Sequence, residues 1–119
     1  PGGNVPTDAR RYVRVQELRF RADGLELEGL SHAGPFRLRS ALVGAFNAEN
    51  LCVALGMLLA GGMPLEGAVD SLTTASAPPG RMEGFQLAGG ALLVVDYAHT
   101  PDALAKALEA LRRHCTGRL

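Results

Sequence analysis

The chain reads as an α/β protein in two parts, a strand-rich and helical first part and a strand–strand–helix unit after it. Three features carry that reading. Apolar and charged residues alternate with period two over the first third of the chain, the period becomes helical near residue 47, and a Pro-Pro-Gly break precedes an apolar run that leads into a capped helix.

Residues 1–10 contain Pro1, Gly2, Gly3, Asn4 and Pro6 without apolar periodicity and read as loop. From Tyr12 the chain alternates, with Val13 and Val15 opposite Arg14 and Gln16. Leu25-Glu26-Leu27-Glu28 is a second alternating run, entered through the hairpin pair Asp23-Gly24, and Phe36-Arg37-Leu38-Arg39 is a third, entered through Gly34-Pro35. One apolar and one charged face on each predicts a small antiparallel sheet packed on something.

Leu51, Ala54, Leu55, Leu58 and Leu59 then fall at helical spacing, with Asn47 as expected N-cap and Gly61-Gly62 as the stop. A second helix is expected from Pro64, with Leu65, Ala68, Val69 and Leu72 on one face. The short connection predicts antiparallel packing of the pair. Ser76-Ala77-Pro78-Pro79-Gly80 is a linker signal, and a domain boundary is placed there, dividing the chain into 1–79 and 80–119.

Beyond the linker, Phe85-Gln86-Leu87 is a short strand and Gly89-Gly90 a turn. Ala91–Val95 is continuously apolar, as in a parallel strand buried on both faces. Thr100 caps the next helix, with Pro101 and Asp102 in its first turn and Leu104, Ala107, Leu108 and Leu111 as its buried stripe. This layout predicts a segment joining the end of one domain to the start of another. It fits equally a single compact α+β domain.

Composition narrows the function. The 119 residues carry 12 basic and 12 acidic side chains, a net charge of zero, which argues against nucleic-acid binding. Arg10, Arg11, Arg14, Arg19 and Arg21 are explained by solvent-facing strand positions rather than by a nucleic-acid patch. No apolar run reaches the ~20 residues of a membrane helix, and PGGNVPTDAR holds no apolar signal core, so a cytoplasmic location without a membrane partner is expected. Cys52 and Cys115 form no disulfide framework and no metal spacing, so no metal ligands are expected within the chain and both thiols read as packing groups. His32 and His114 have no partner pattern and are expected at the surface. Lys106 is the only lysine and lies in a helical stretch, so the chain has no phosphate-binding Gly-x-x-x-x-Gly-Lys loop.

Three places could carry chemistry. Asn47 and Asn50 offer paired donors and acceptors suited to a purine edge; the alternative is an N-cap and a solvated side chain. Arg81, directly after Pro79-Gly80, could reach across a domain cleft to phosphate oxygens, or simply pair with Glu83. Asp96 and His99 sit at the C-terminal end of a strand, where open α/β sheets bind ligands; the alternative is a turn in which Asp96 satisfies backbone donors.

Taken in order, Gly44-x-Phe46-Asn47-x-x-Asn50, Pro79-Gly80-Arg81-Met82-Glu83 and Asp96-Tyr97-Ala98-His99-Thr100-Pro101-Asp102-Ala103-Leu104 resemble the Mur ligase family, over about Leu42 to Leu119. The match is nearest to the branch that adds diaminopimelate or lysine to a UDP-muramoyl dipeptide. The resemblance implies the end of a central ATPase domain in 1–79 and the start of a C-terminal Rossmann-like domain in 80–119. It implies ATP-dependent amide formation through an acyl phosphate, in a monomeric parent enzyme acting on a UDP-sugar peptide and an amino acid. It places Asn47 and Asn50 by the adenine, makes Arg81 the catalytic contact to ATP phosphates, and sets Asp96 and His99 against the nucleotide, while Tyr97 receives no role. Mg²⁺ ligands, the phosphate loop and the UDP-sugar domain would lie outside this chain, which would be inactive alone. Ala48-Glu49 departs from the small apolar residues usual after the first asparagine. Two other readings stand beside this one. A folylpolyglutamate or cyanophycin-type ligase is disfavoured by Tyr97 and Thr100, and a non-catalytic Mur-like nucleotide-binding subunit would differ only upstream of Pro1.

Overall fold

The computed structural model describes residues 11–119, so the loop expected over 1–10, with Arg10, lies outside the described residues. Three antiparallel strands come first, in spatial order β1 (Val13–Arg21), β2 (Gly24–Ser31) and β3 (Gly34–Ser40). Two helices follow, α1 (Ala45–Ala60) and α2 (Leu65–Thr73). After the linker come the antiparallel ladder β4 (Glu83–Gln86) and β5 (Leu92–Val95) and the helix α3 (Pro101–Arg112).

The alternation seen in the sequence puts Leu25, Leu27, Phe36 and Leu38 on the inner face of the sheet. They are buried against Ala48, Leu51, Leu55 and Leu59 of α1 and Ala68 and Leu72 of α2. Strand β1 could not contribute a continuous apolar face by simple alternation, since Val13 and Val15 are odd-numbered and Leu18 and Phe20 even-numbered. A register shift between Val15 and Glu17 resolves this, and all four side chains pack against the core. One extra residue in a strand changes the phase of everything after it.

The outer face is held by ion pairs. Glu26 on β2 meets Arg21 at 2.7 Å and Arg19 at 3.3 Å, both from β1, and Glu28 pairs with Arg37 of β3. Opposite charges on neighbouring strands reinforce the register set by the apolar face. At the start of β2, Gly24 has φ 143°, and any Cβ would stand 1.9 Å from the Ser40 carbonyl oxygen. Only glycine fits there.

Two helix starts differ from expectation. Asn47 is not the N-cap of α1: Gly44 occupies that position at φ 94°, and Asn47 lies inside the first turn with its Nδ2 donating to the Val43 carbonyl at 2.8 Å. A glycine free to adopt positive φ turns the chain into the helix three residues earlier than the asparagine would. Helix α2 begins at Leu65, with Pro64 as its cap residue. Thr100 does cap α3, its hydroxyl accepting from the Ala103 N–H at 3.1 Å.

The unit after the linker corrects a further expectation. Strand β5 is not buried on both faces: it pairs antiparallel with β4, and Leu93 and Val95 are 49% and 43% exposed. The expected buried stripe of α3 is likewise open, with Leu104 at 52% and Leu108 at 45%. Nothing among the described residues covers these faces. No described helix is long and apolar enough to cross a membrane.

Candidate functional site

A cleft of about 580 Å³ opens where the start of α1, the linker and the tip of β5 meet. Asn47 and Asn50 line it from α1, Arg81 and Met82 from the linker, and Asp96 and His99 from the segment between β5 and α3. All five sequence-predicted site residues therefore face one space. Its size lies in the range of small-molecule sites, roughly 300–1,000 Å³.

The asparagine pair is held together. Asn50 Nδ2 donates to Asn47 Oδ1 at 3.2 Å, while Asn47 Nδ2 donates to the Val43 carbonyl, so the two carboxamides are linked on the first turns of α1. Arg81 is exposed, and no described acid meets it as an ion pair, so the alternative pairing with Glu83 is not what the structure shows. Glu83 instead accepts from the Gly80 N–H at 3.2 Å, and the Arg81 N–H bonds to the Pro78 carbonyl at 3.1 Å. These bonds set the turn from which the guanidinium projects.

Asp96 ties the two walls. Its Oδ1 accepts from the Met82 N–H at 3.0 Å and its Oδ2 from the Ala98 N–H at 3.1 Å. Each carboxylate oxygen carries a further lone pair, so Asp96 can hold backbone donors and still accept from a ligand hydroxyl. His99 Nδ1 lies 3.1 Å from the Tyr97 carbonyl, and the two rings meet edge to face at 5.1 Å.

Among the other lining residues, three larger side chains were given no role by the sequence reasoning. Phe46 and Tyr97, 47% and 77% exposed, offer aromatic surface to the cleft, and the buried Met82 lines it beside Arg81. All three lay inside motifs already singled out, Met82 directly after Arg81, but none was given a role there. Among the described residues no group of three or more His, Cys, Asp and Glu side chains comes together that could hold a metal ion.

Residues 80–119 match the family model for the Mur ligase glutamate ligase domain. Over 115 residues the chain is 45% identical to the UDP-N-acetylmuramoyl-L-alanyl-D-glutamate–2,6-diaminopimelate ligase of Vibrio vulnificus, covering 96% of this chain and 23% of the relative. The chain belongs to the Mur ligase family. The Pseudomonas aeruginosa ligase of the same name is 46% identical over 115 residues, covering 95% of this chain and 23% of that one. A solved UDP-N-acetylmuramoyl-L-alanyl-D-glutamate–2,6-diaminopimelate ligase superposes with a TM-score of 0.76 at 36% identity, covering 96% of this chain and 23% of the other. The chain thus spans about a quarter of the length of these Mur ligases. Its α/β fold is that of the family.

Proposed function

We propose that this chain is the ATP-gripping segment of an ATP-dependent ligase that adds a diamino acid to a UDP-muramoyl dipeptide during peptidoglycan precursor synthesis. The convergence of Asn47, Asn50, Arg81, Asp96 and His99 on one cleft carries the reading. The 45% identity to a diaminopimelate ligase supports the choice of reaction.

In this reading the division at residues 79 and 80 separates the end of a central ATP-binding domain from the start of a Rossmann-like one, and the nucleotide lies in the seam. The asparagine pair on α1 meets the adenine edge with matched donors and acceptors. Asp96 accepts from a ribose hydroxyl with its remaining lone pairs, beside His99. The γ-phosphoryl group of ATP passes to the substrate carboxylate, giving an acyl phosphate and ADP. The incoming amine then attacks the acyl carbon, and phosphate leaves as the amide forms. Arg81 serves the first step: its planar fork donates to phosphate oxygens and stabilises the charge that grows during transfer. Mg²⁺ would neutralise phosphate charge when bound. The one carboxylate lining this cleft already accepts two backbone N–H groups, so these residues do not by themselves form its site, and no step is assigned through it.

The substrates would be the UDP-sugar peptide and the amino acid, the setting cytoplasmic, and the consequence cell-wall growth, with its effects on shape and division. A titration of ATP and ADP into the purified chain by calorimetry tests the grip, and amide formation by the longer protein that carries the chain tests the reaction. The expected result is nucleotide binding weakened by Asn50→Ala, and turnover only in the longer protein. Turnover by the 119 residues alone, or nucleotide binding indifferent to Asn50 and Arg81, would overturn the reading.

A further inference from the structure

His114 was expected at the surface, yet it is 5% exposed and both of its ring nitrogens are engaged. Nε2 lies 2.9 Å from the Gly44 backbone nitrogen and Nδ1 lies 2.8 Å from the Arg21 carbonyl oxygen. A backbone N–H can only donate and a carbonyl can only accept. The ring must therefore be neutral, with its proton on Nδ1. The imidazole and Phe20 rings meet edge to face at 5.2 Å, and the Arg113 guanidinium lies over the Phe20 ring at 4.0 Å.

These contacts join distant parts of the chain. His114 follows α3, Arg21 ends β1, and Gly44 is the residue that turns the chain into α1. No helix or strand before the linker packs extensively on one after it. The ring is therefore a main fastening between the two units. It also pins the turn whose next residues, Phe46 and Asn47, line the cleft.

We propose that His114 is a positioning residue that holds the two units together at the nucleotide cleft only while its imidazole is neutral. Protonation places an N–H on Nε2 opposite the Gly44 N–H. An acceptor becomes a donor, the bond is lost, and a buried donor is left without a partner. The charged and titratable groups around the ring are Arg21 with its partner Glu26 on the sheet side, and Arg113, Cys115 and Arg118 on its own segment. Val43, Gly44 and Ala45, which lead into α1, carry no charge. The latch stands on geometry alone; its consequence for catalysis rests on the nucleotide reading above.

Two measurements test it. In the isotopically labelled chain, NMR titration from about pH 8 to about pH 5 reports the imidazole tautomer and the Gly44 amide together. The expected result is an Nδ1–H tautomer at the upper end and a Gly44 amide that shifts with the same midpoint as His114. An Nε2–H tautomer, or a Gly44 amide indifferent to that titration, would overturn the latch. In the longer protein that carries this chain, His114→Gln keeps an acceptor for Gly44 but cannot titrate, whereas His114→Ala keeps none. His114→Ala should raise KM for ATP by about tenfold, the loss of roughly one hydrogen bond, with a smaller change in kcat. His114→Gln should restore KM and abolish its rise at acid pH. An unchanged acid rise in His114→Gln would refute the proposal even if His114→Ala fails to fold. Failure of the wild-type protein to bind ATP, with the His114 and Gly44 signals still moving together, would sink the nucleotide reading and leave the latch.

Discussion

The Asp96 carboxylate holds the Met82 backbone N–H at 3.0 Å, and so binds the tip of β5 to the turn that carries Arg81. Met82 is the one described non-glycine residue with positive φ, at 48°, and its side chain is 5% exposed. A left-handed methionine is unfavourable by roughly 1–2 kcal/mol. Burial of its side chain and the charge-assisted bond that its N–H donates to Asp96 offset that cost. The linker is therefore a built turn, and its geometry depends on a carboxylate 14 residues away.

Replacing Asp96 should expose this dependence. Asp96→Asn keeps one acceptor oxygen but turns an amide toward the second N–H, and should lower stability by about 1 kcal/mol. Asp96→Ala removes both bonds and should cost about twice that. Urea unfolding of the three proteins measures the differences. Equal midpoints would mean that the carboxylate does not hold the turn.

Arg81 should behave in the opposite way, with little effect on stability and a large effect on rate. Its backbone makes the turn, while its side chain is exposed. Arg81→Ala should change unfolding free energy by less than about 0.5 kcal/mol. In the longer protein it should lower kcat by roughly 10²–10³, the scale seen when one charge-stabilising donor is removed. Arg81→Lys should not restore the rate, because an ammonium cannot reproduce the two-pronged donor. Rate assays beside thermal melts distinguish this from misfolding.

The strands and helices were legible because each has a local signature: alternation with turn pairs for β1 to β3, helical spacing for α1 and α2, a Thr-Pro-Asp start for α3. The five residues that line the cleft together stood out in the sequence as motifs. Three features were not, and for one reason. The β1 irregularity depends on pairing with β2. The early start of α1 depends on the φ of Gly44, which a neighbouring asparagine masked as a more familiar cap. The burial of His114 depends on partners 70 and 93 residues away. A histidine at a helix end looks the same in sequence whether solvent or a β-strand faces it. The apolar run of β5 was read as a parallel strand buried on both faces, but it pairs antiparallel with β4 and no described element covers its half-exposed Leu93 and Val95.

Acid should weaken the sheet through Glu26. Hydrogen bonding from Arg21 foremost, with Arg19 adding to it, holds the Glu26 carboxyl below the ordinary glutamate range even though its burial acts the other way. Glu28 is lowered similarly, first by its bond with Arg37. A carboxyl lowered in the folded state binds its proton more readily when unfolded. Its contribution is complete above the unfolded value, about pH 4.3, and is lost as pH falls through the folded value. Stability should therefore decline on the acid side of about pH 5, and Glu26→Gln should be less stable than wild type at neutral pH with a shallower acid decline. Parallel declines in the two proteins, followed by circular dichroism in urea, would remove Glu26 from this role.

The uncovered face after the linker allows a comparison between two leucines. Leu55 on α1 is fully buried, and Leu55→Ala should cost about 2–5 kcal/mol wherever it is measured. Leu104 on α3 is 52% exposed, and Leu104→Ala should cost little in the 119-residue chain. The chain spans 23% of the length of a Mur ligase relative, and in the proposed longer ligase the remainder would lie outside it. If that remainder covers α3, as the apolar stripe of Leu104 and Leu108 requires of a stable helix in water, the same Leu104→Ala substitution should become costly in the longer protein, by about 2 kcal/mol. Denaturant midpoints for both substitutions in both lengths decide it. A Leu104 effect that stays small in the longer protein would show that this stripe faces solvent there too.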